Sequence, residues 1–287
     1  MTKYPFIFIK QNQIPLKWKI LFLKSLFWTK SRFCLKFYKI LQEYNKGDYY
    51  NFNDLKVSFF PFKSNKKRSF VEYFVDAFLT IIYPFLYGSQ YIHPLYYRES
   101  YYIDKKKMSI NSKDTVLDCG GFIGHFSITA SKMAYNGKVY VFEPFQENVN
   151  LLSKNVEQNN LKNVTLIQKA VSKKTGKTQL FFNKDLPCSS GKFLKVDSIE
   201  SYDIHTVTID DFFKENNLKR VDFIKMDIEG MERYALMGAK KVISMFKPRL
   251  SICTYHLKDD PILLPRIIKN IRKDYKIKNK IGKIFAY

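Results

Sequence analysis

The chain has 287 residues and a formal net charge of +23, with 46% hydrophobic, 17% aromatic and 26% charged residues. That length holds one large domain, or one domain with an extension, around a sizeable core. The scattered Cys34, Cys119, Cys188 and Cys253 include no Cys-x-x-Cys pair, which excludes a disulfide framework and a cysteine zinc site and fits a reducing cytoplasm.

The positive charge leaves three readings open: attraction to an anionic membrane or glycan, nucleic-acid binding, or a general richness in lysine and asparagine. No RNA- or DNA-binding motif accompanies it, so nucleic acid is not the expected partner.

Residues 1–98 read as a helical, aromatic and basic N-terminal extension, and residues 99–287 as the catalytic domain. Positions 16–41 interleave Trp18, Ile20, Leu23, Phe27 and Trp28 with Lys17, Lys19, Lys24, Lys30 and Arg32. Such a stretch either packs on its own domain or lies on a membrane surface, so peripheral contact with the inner face of the membrane stays open. Lysines interrupt the apolar stretches near the start, and no small-residue cleavage site follows, so no secretory signal is expected. Positions 64–68 form a charged, solvated loop. Positions 77–86 are apolar, but Asp76 bounds them and Pro84 interrupts them. The run falls short of the ~20 residues that span a bilayer and is expected to be a buried helix.

After a polar connector at 105–114, strands and helices alternate. Strands are expected at 115–119, 138–142, 164–170, 206–209, 221–226, 250–255 and 283–286, with a short one at 178–182. Helices are expected at 122–133, 146–159, 210–216, 231–243 and 261–273, and 188–191 reads as a loop. This alternation implies an α/β fold with a doubly wound, mostly parallel sheet.

The strongest signal is Val116-Leu-Asp-Cys-Gly-Gly-Phe-Ile-Gly-His-Phe-Ser127, followed by Val139-Tyr-Val-Phe-Glu-Pro144. A buried strand runs into a turn in which Gly120, Gly121 and Gly124 allow close backbone approach, and a second strand ends on Glu143. Ligands of open α/β sheets bind outside the carboxyl ends of the strands, and one carboxylate matches the two hydroxyls of a ribose. The dinucleotide fingerprint Gly-x-Gly-x-x-Gly would put its first glycine on Cys119. Asp118, at the end of the first strand, would repel a pyrophosphate and suits a ligand with a cationic amine and sulfonium. S-adenosylmethionine is therefore the expected cofactor, with a dinucleotide or a ligand-free turn as the other readings.

A second acidic motif is Val221-Asp-Phe-Ile-Lys-Met-Asp-Ile-Glu-Gly230. Asp227 falls at a strand end, on the same sheet edge as Asp118 and Glu143. Glu229 opens the next helix, where an acid complements the positive N-terminal dipole. As the residue before a helix, Asp227 is also an N-cap candidate.

Asp118-x-Gly120…Gly124-x-Phe126-Ser127, Phe142-Glu143-Pro144, Asn155…Asn159, Phe223-Ile-Lys-Met-Asp-Ile-Glu-Gly-Met-Glu232, Gly238-Ala239 and the strand ending at His256 together resemble FkbM-type S-adenosylmethionine methyltransferases over roughly 100–260. The resemblance implies a Rossmann-like class I methyltransferase fold and O-methylation of a hydroxyl-bearing acceptor, commonly a sugar or glycan. Gly121-Phe122 departs from the family's usual Ala-Asn. The roles it suggests are Gly120 and Gly124 shaping the cofactor turn, Asp118 at the methionine end, Glu143 on the ribose and backbone groups of Ala170 near the adenine. Asp227 is the first candidate base or substrate-positioning acid, His256 the second candidate base, and Glu229 stands beside them as a further catalytic candidate. Asp227, Glu229 and His256 could instead bind a divalent metal, but nothing in their spacing demands one and no metal is expected. Lys195, Arg220 and Arg249 are candidates for holding an anionic acceptor, with ordinary surface charge as the other reading. Two other functions stay open: a nucleic-acid methyltransferase, and a membrane-surface scaffold with a degenerate methyltransferase fold.

Overall fold

The computed structural model describes residues 50–52, 55–57, 107–183, 186–191, 199–280 and 282–287. The expectations for 16–41, 64–68 and 77–86, and for Lys195, lie outside them. The chain divides into two units, Met1–Tyr101 and Tyr102–Tyr287. In the first, β1 (Tyr50–Phe52) pairs antiparallel with β2 (Leu55–Val57). Among the described residues no helix is long and apolar enough to cross a membrane.

The second unit begins its sheet with β3 (Thr115–Cys119), followed by α1 (His125–Met133), β4 (Lys138–Phe142), α2 (Gln146–Gln158) and β5 (Val164–Ile167). A β-rich stretch follows: β6 (Ala170–Val171), β7 (Gly176–Asn183), β8 (Leu186–Gly191) and β9 (Ile199–Val207). Then come α3 (Ile209–Glu215), β10 (Phe223–Met226), α4 (Glu232–Met237), α5 (Lys240–Phe246), β11 (Arg249–Cys253), α6 (Asp260–Ile271), β12 (Ile277–Lys280) and β13 (Lys283–Ala286).

The seven-stranded sheet has the order β12-β13-β11-β10-β3-β4-β5. The neighbours from β11 to β5 are parallel, and β13 runs antiparallel to both β11 and β12. The mostly parallel, doubly wound architecture is thus present with one reversed strand. From β3 the chain winds outward to β4 and β5, then returns to β10 and β11 on the other side. The topological switch point, where ligands of such sheets bind, lies between β3 and β10. Central strands buried on both faces explain the apolar runs at 115–119 and 223–226. Their side chains join Phe142, Leu236, Ile252 and Tyr275 in one core. Phe142 meets Phe212 edge-on at 4.8 Å between ring centres.

Several boundaries differ from the sequence expectation, each for a local physical reason. Helix α1 starts at His125, not 122, because Phe122 takes a φ of 50° and Gly124 one of 100°. Those left-handed residues form a turn, which a helix cannot continue through. The expected strand 164–170 ends at Ile167. Ala170 leaves that sheet and pairs with Thr206 of β9 instead. Residues 188–191 are strand, not loop, and pair with β7. β9 starts at Ile199, earlier than expected, and Ile209 opens α3.

The helix expected at 231–243 is two helices. The Ser172 carbonyl would lie 2.2 Å from a Cβ at Gly238, and the Asp210 carboxylate accepts the N–H groups of Lys241 and Val242 at 3.0 and 2.9 Å. A side-chain cap at that point begins a new helix rather than extending the old one. His256 lies beyond β11, which ends at Cys253, and so belongs to a loop and not to the strand. β12 was absent from the sequence reading: Ile-Lys-Asn-Lys carries no apolar alternation.

Candidate active site

The turn after β3 and the end of β10 form one backbone unit. Gly120 N–H donates to the Phe142 carbonyl at 2.9 Å, and Asp227 N–H donates to the Cys119 carbonyl at 3.1 Å. Gly120 has a φ of 84°, and a Cβ there would lie 2.0 Å from the Asp227 carbonyl oxygen. Glycine is required because two backbone segments meet. Gly124 stands as the N-cap of α1, where a Cβ would approach Leu152 to 2.8 Å. Asn155 on α2 donates to the Ile123 carbonyl at 2.8 Å and ties the turn to that helix.

The two acids assigned to the cofactor are both engaged within the protein. Asp118 is fully buried; its carboxylate lies 2.9 Å from Lys225 Nζ and accepts the Ser127 hydroxyl at 2.6 Å. Lys225 also donates to the Gly120 carbonyl at 2.5 Å. A lysine inside the apolar strand Phe-Ile-Lys-Met was the signal for this pair, since a buried ammonium needs a carboxylate partner. Lys225 and Asp118 are register neighbours on β10 and β3. Asp118 is therefore held against the turn through Lys225, which bonds the Gly120 carbonyl.

Glu143 is 5% exposed. One of its oxygens accepts Phe122 N–H at 2.8 Å; the other accepts Phe145 N–H at 3.1 Å and the Asn148 amide at 3.0 Å. Burial raises its carboxyl above the ordinary range, against the lowering effect of these three bonds. A carboxylate has about four acceptor positions, so roughly one remains for a ligand hydroxyl.

The second acidic motif forms a cluster with His256. Asp227 is the residue after β10. Glu229 and Gly230 carry left-handed φ values of 55° and 92°, which turn the chain sharply into α4. Glu232, fully buried in the first turn of α4, accepts Ile228 N–H at 2.9 Å. His256 Nδ1 lies 3.0 Å from Glu232, and its Nε2 lies 3.4 Å from Asp227 and 3.5 Å from Glu229. The Tyr255 hydroxyl donates to Asp227 at 2.6 Å. Arg233 pairs with Asp259 and Asp260 at the start of α6, pinning the far end of the loop that carries His256.

Burial alone would lower the His256 pKa. The Glu232 carboxylate at Nδ1, with the charges of Asp227 and Glu229, raises it instead to about 9. At that value the ring is a cationic partner of these acids at neutral pH. Burial works to raise the Asp227 carboxyl, but Lys225, His256, Lys283 and the Tyr255 hydroxyl outweigh it and hold the value below the ordinary one.

Asp227, Glu229 and His256 are accordingly brought together. Glu232 and Tyr255 join them without having been assigned roles; Glu232 was visible only as part of the motif. Ala170 lies in the four-stranded sheet. Arg220 and Arg249 are committed elsewhere: Arg220 pairs with Asp222, and Arg249 pairs with Asp114 and bonds the Ser109 carbonyl. These groups lie at the starts of the strands, on the edge opposite Asp227. Burial, then Asp118, pushes the Cys119 thiol well above its usual range, leaving it an apolar filler.

The Methyltransferase FkbM domain model matches residues 118–275. A protein called Methyltransferase 1 from Beauveria bassiana (strain ARSEF 2860) is 28% identical over 142 residues, covering 43% of this chain and 57% of that protein. The crystal structure of Methyltransferase FkbM from Methylobacillus flagellatus KT superposes with a TM-score of 0.52 at 23% identity, over 77% of this chain and 59% of that one. The chain thus spans less than two thirds of the length of either relative. The second likeness bears on the fold alone, and the first joins it in the same direction. With the matched segment running from Asp118 under the glycine turn to Tyr275 in the core, the chain belongs to the FkbM methyltransferase domain family.

Proposed function

We propose that this protein is an S-adenosylmethionine-dependent O-methyltransferase acting on a hydroxyl of a carbohydrate acceptor. The observation that carries the reading is the joint between the glycine turn and Asp227. A cofactor held over that turn would lie beside a carboxylate whose own backbone packs against Gly120.

The residues present fit such a cofactor. Glu143 keeps an acceptor position for a ribose hydroxyl, and Gly120 and Gly124 shape the turn. Asp118 supports it from below through Lys225. Asp227, held ionised, suits a neighbouring cationic sulfonium.

When bound, S-adenosylmethionine supplies an electrophilic methyl: the acceptor oxygen bonds to that carbon as the carbon–sulfur bond breaks, leaving a thioether. A sugar hydroxyl is a weak nucleophile at neutral pH. Asp227 orients it and takes up its proton as the oxygen–carbon bond forms, a contribution of about 10²–10⁴-fold. Tyr255 holds the Asp227 carboxylate in place. The net charge of +23 favours an anionic acceptor, such as a charged glycan or a glycan carried on an anionic membrane at its inner, cytoplasmic face.

The test is calorimetric titration with S-adenosylhomocysteine, using NAD as control, followed by methyl transfer to a panel of glycans with RNA in parallel. Asp227→Asn is expected to keep binding S-adenosylhomocysteine while its transfer rate falls about 10²–10⁴-fold. Unchanged turnover in that variant would remove Asp227 from the chemistry. Transfer to RNA alone would replace the carbohydrate acceptor, and binding of NAD alone would overturn the cofactor.

A further inference from the structure

Three carboxylates converge on one imidazole at the end of β10. The His256 side chain is 8% exposed, and its Nε2 makes no aligned hydrogen bond. A buried imidazole aimed at acids in this way is costly unless something completes it. Glu232 Oε2 is likewise buried without a hydrogen-bond partner. Donor atoms of Asp227, Glu232 and His256 all lie within 4.8 Å of one another, and Glu229 approaches this group through His256 Nε2.

The two ring nitrogens differ. Nδ1 faces Glu232 at 3.0 Å, the spacing at which a carboxylate orients a metal-binding histidine through its second nitrogen. Nε2 faces Asp227 at 3.4 Å and Glu229 at 3.5 Å. Two donors each about 2.1 Å from a shared ion, at a tetrahedral angle, stand roughly 3.4 Å apart.

We propose that Asp227, His256 Nε2 and Glu229 bind a divalent transition-metal cation, with Glu232 orienting the imidazole. One nitrogen with carboxylate oxygens suits manganese, iron, cobalt or zinc; calcium prefers six to eight oxygens. The proposal concerns cation binding and stands independently of methyl transfer. If the acceptor hydroxyl also reaches this edge, the cation would polarise it, with Asp227 serving as ligand.

The test uses the full chain, stripped with EDTA and titrated with Mn²⁺ and with Co²⁺ alone, following heat and the visible bands of bound cobalt. The expected result is one site per chain, with cobalt bands showing nitrogen and oxygen ligation. His256→Gln and Asp227→Asn are expected to abolish the bands, and Glu232→Gln to weaken binding about 10–100-fold. Circular dichroism of each stripped variant separates loss of the site from loss of the fold; should His256→Gln not fold, Glu229→Gln, at a more exposed position, provides the same readout. No binding by folded wild-type protein, or equal binding by the folded variants, overturns the proposal. Methyl transfer by stripped protein would leave the binding result untouched, so the two readings fail separately.

Discussion

Two groups of carboxylates stand at neighbouring strand ends of the same sheet, and the protein finishes them differently. Under the glycine turn, Asp118 and Glu143 are largely engaged within the protein. One is paired with Lys225 and Ser127, and the other is bonded to two backbone N–H groups and Asn148. At the end of β10, Asp227, Glu229 and Glu232 crowd one histidine, and Glu229 sits in a left-handed conformation. The first group is bonded mainly within the protein, with about one acceptor position of Glu143 left over. The second is an arrangement in which charge and backbone strain are retained, as at sites that act on something else. Equal sequence prominence thus conceals unequal roles.

The sharpest way to break this comparison is at Lys225. Lys225→Met would strand the buried Asp118 carboxylate and cost about 3–5 kcal/mol in urea denaturation. Adding Asp118→Leu should recover most of that loss, because an apolar pair of similar volume suits the same place. A loss well under about 1 kcal/mol in the single variant would show that the turn does not depend on the pair.

Glu143 tests whether the closed region still reaches a ligand. Glu143→Ala should weaken S-adenosylhomocysteine binding by about 1.5–3 kcal/mol, visible by calorimetry. If stability falls while affinity stays level, Glu143 serves the turn and not the ribose.

The smallest effect belongs to the open region. Tyr255 is 37% exposed, so Tyr255→Phe, which deletes its bond to Asp227, should cost about 1 kcal/mol or less in thermal unfolding. Its larger consequence is chemical: without the hydroxyl the Asp227 carboxylate loses a bond that orients it, and the transfer rate should fall more than stability does. A large stability loss with an unchanged rate would make the cluster a support like its neighbour.

The sequence by itself determined the strand runs 115–119, 138–142 and 283–286, the doubly wound order of the elements, the glycine turn, and the gathering of Asp118, Glu143 and Asp227 at one sheet edge. These follow from local patterns: apolar runs of strand length, glycines between strand and helix, and acids at strand ends. Only the tertiary structure decided what those acids touch. Lys225 faces Asp118 because β10 lies in register beside β3. Gly120 is glycine because the Asp227 carbonyl occupies the space of a Cβ. The helix expected at 231–243 breaks because Asp210, from a distant segment, caps the second half. His256 meets Glu232 and Asp227 because its loop, pinned by Arg233, folds over the start of α4. Contacts between residues far apart in the chain leave no periodic trace along it, whereas strand runs and turns are written in consecutive residues.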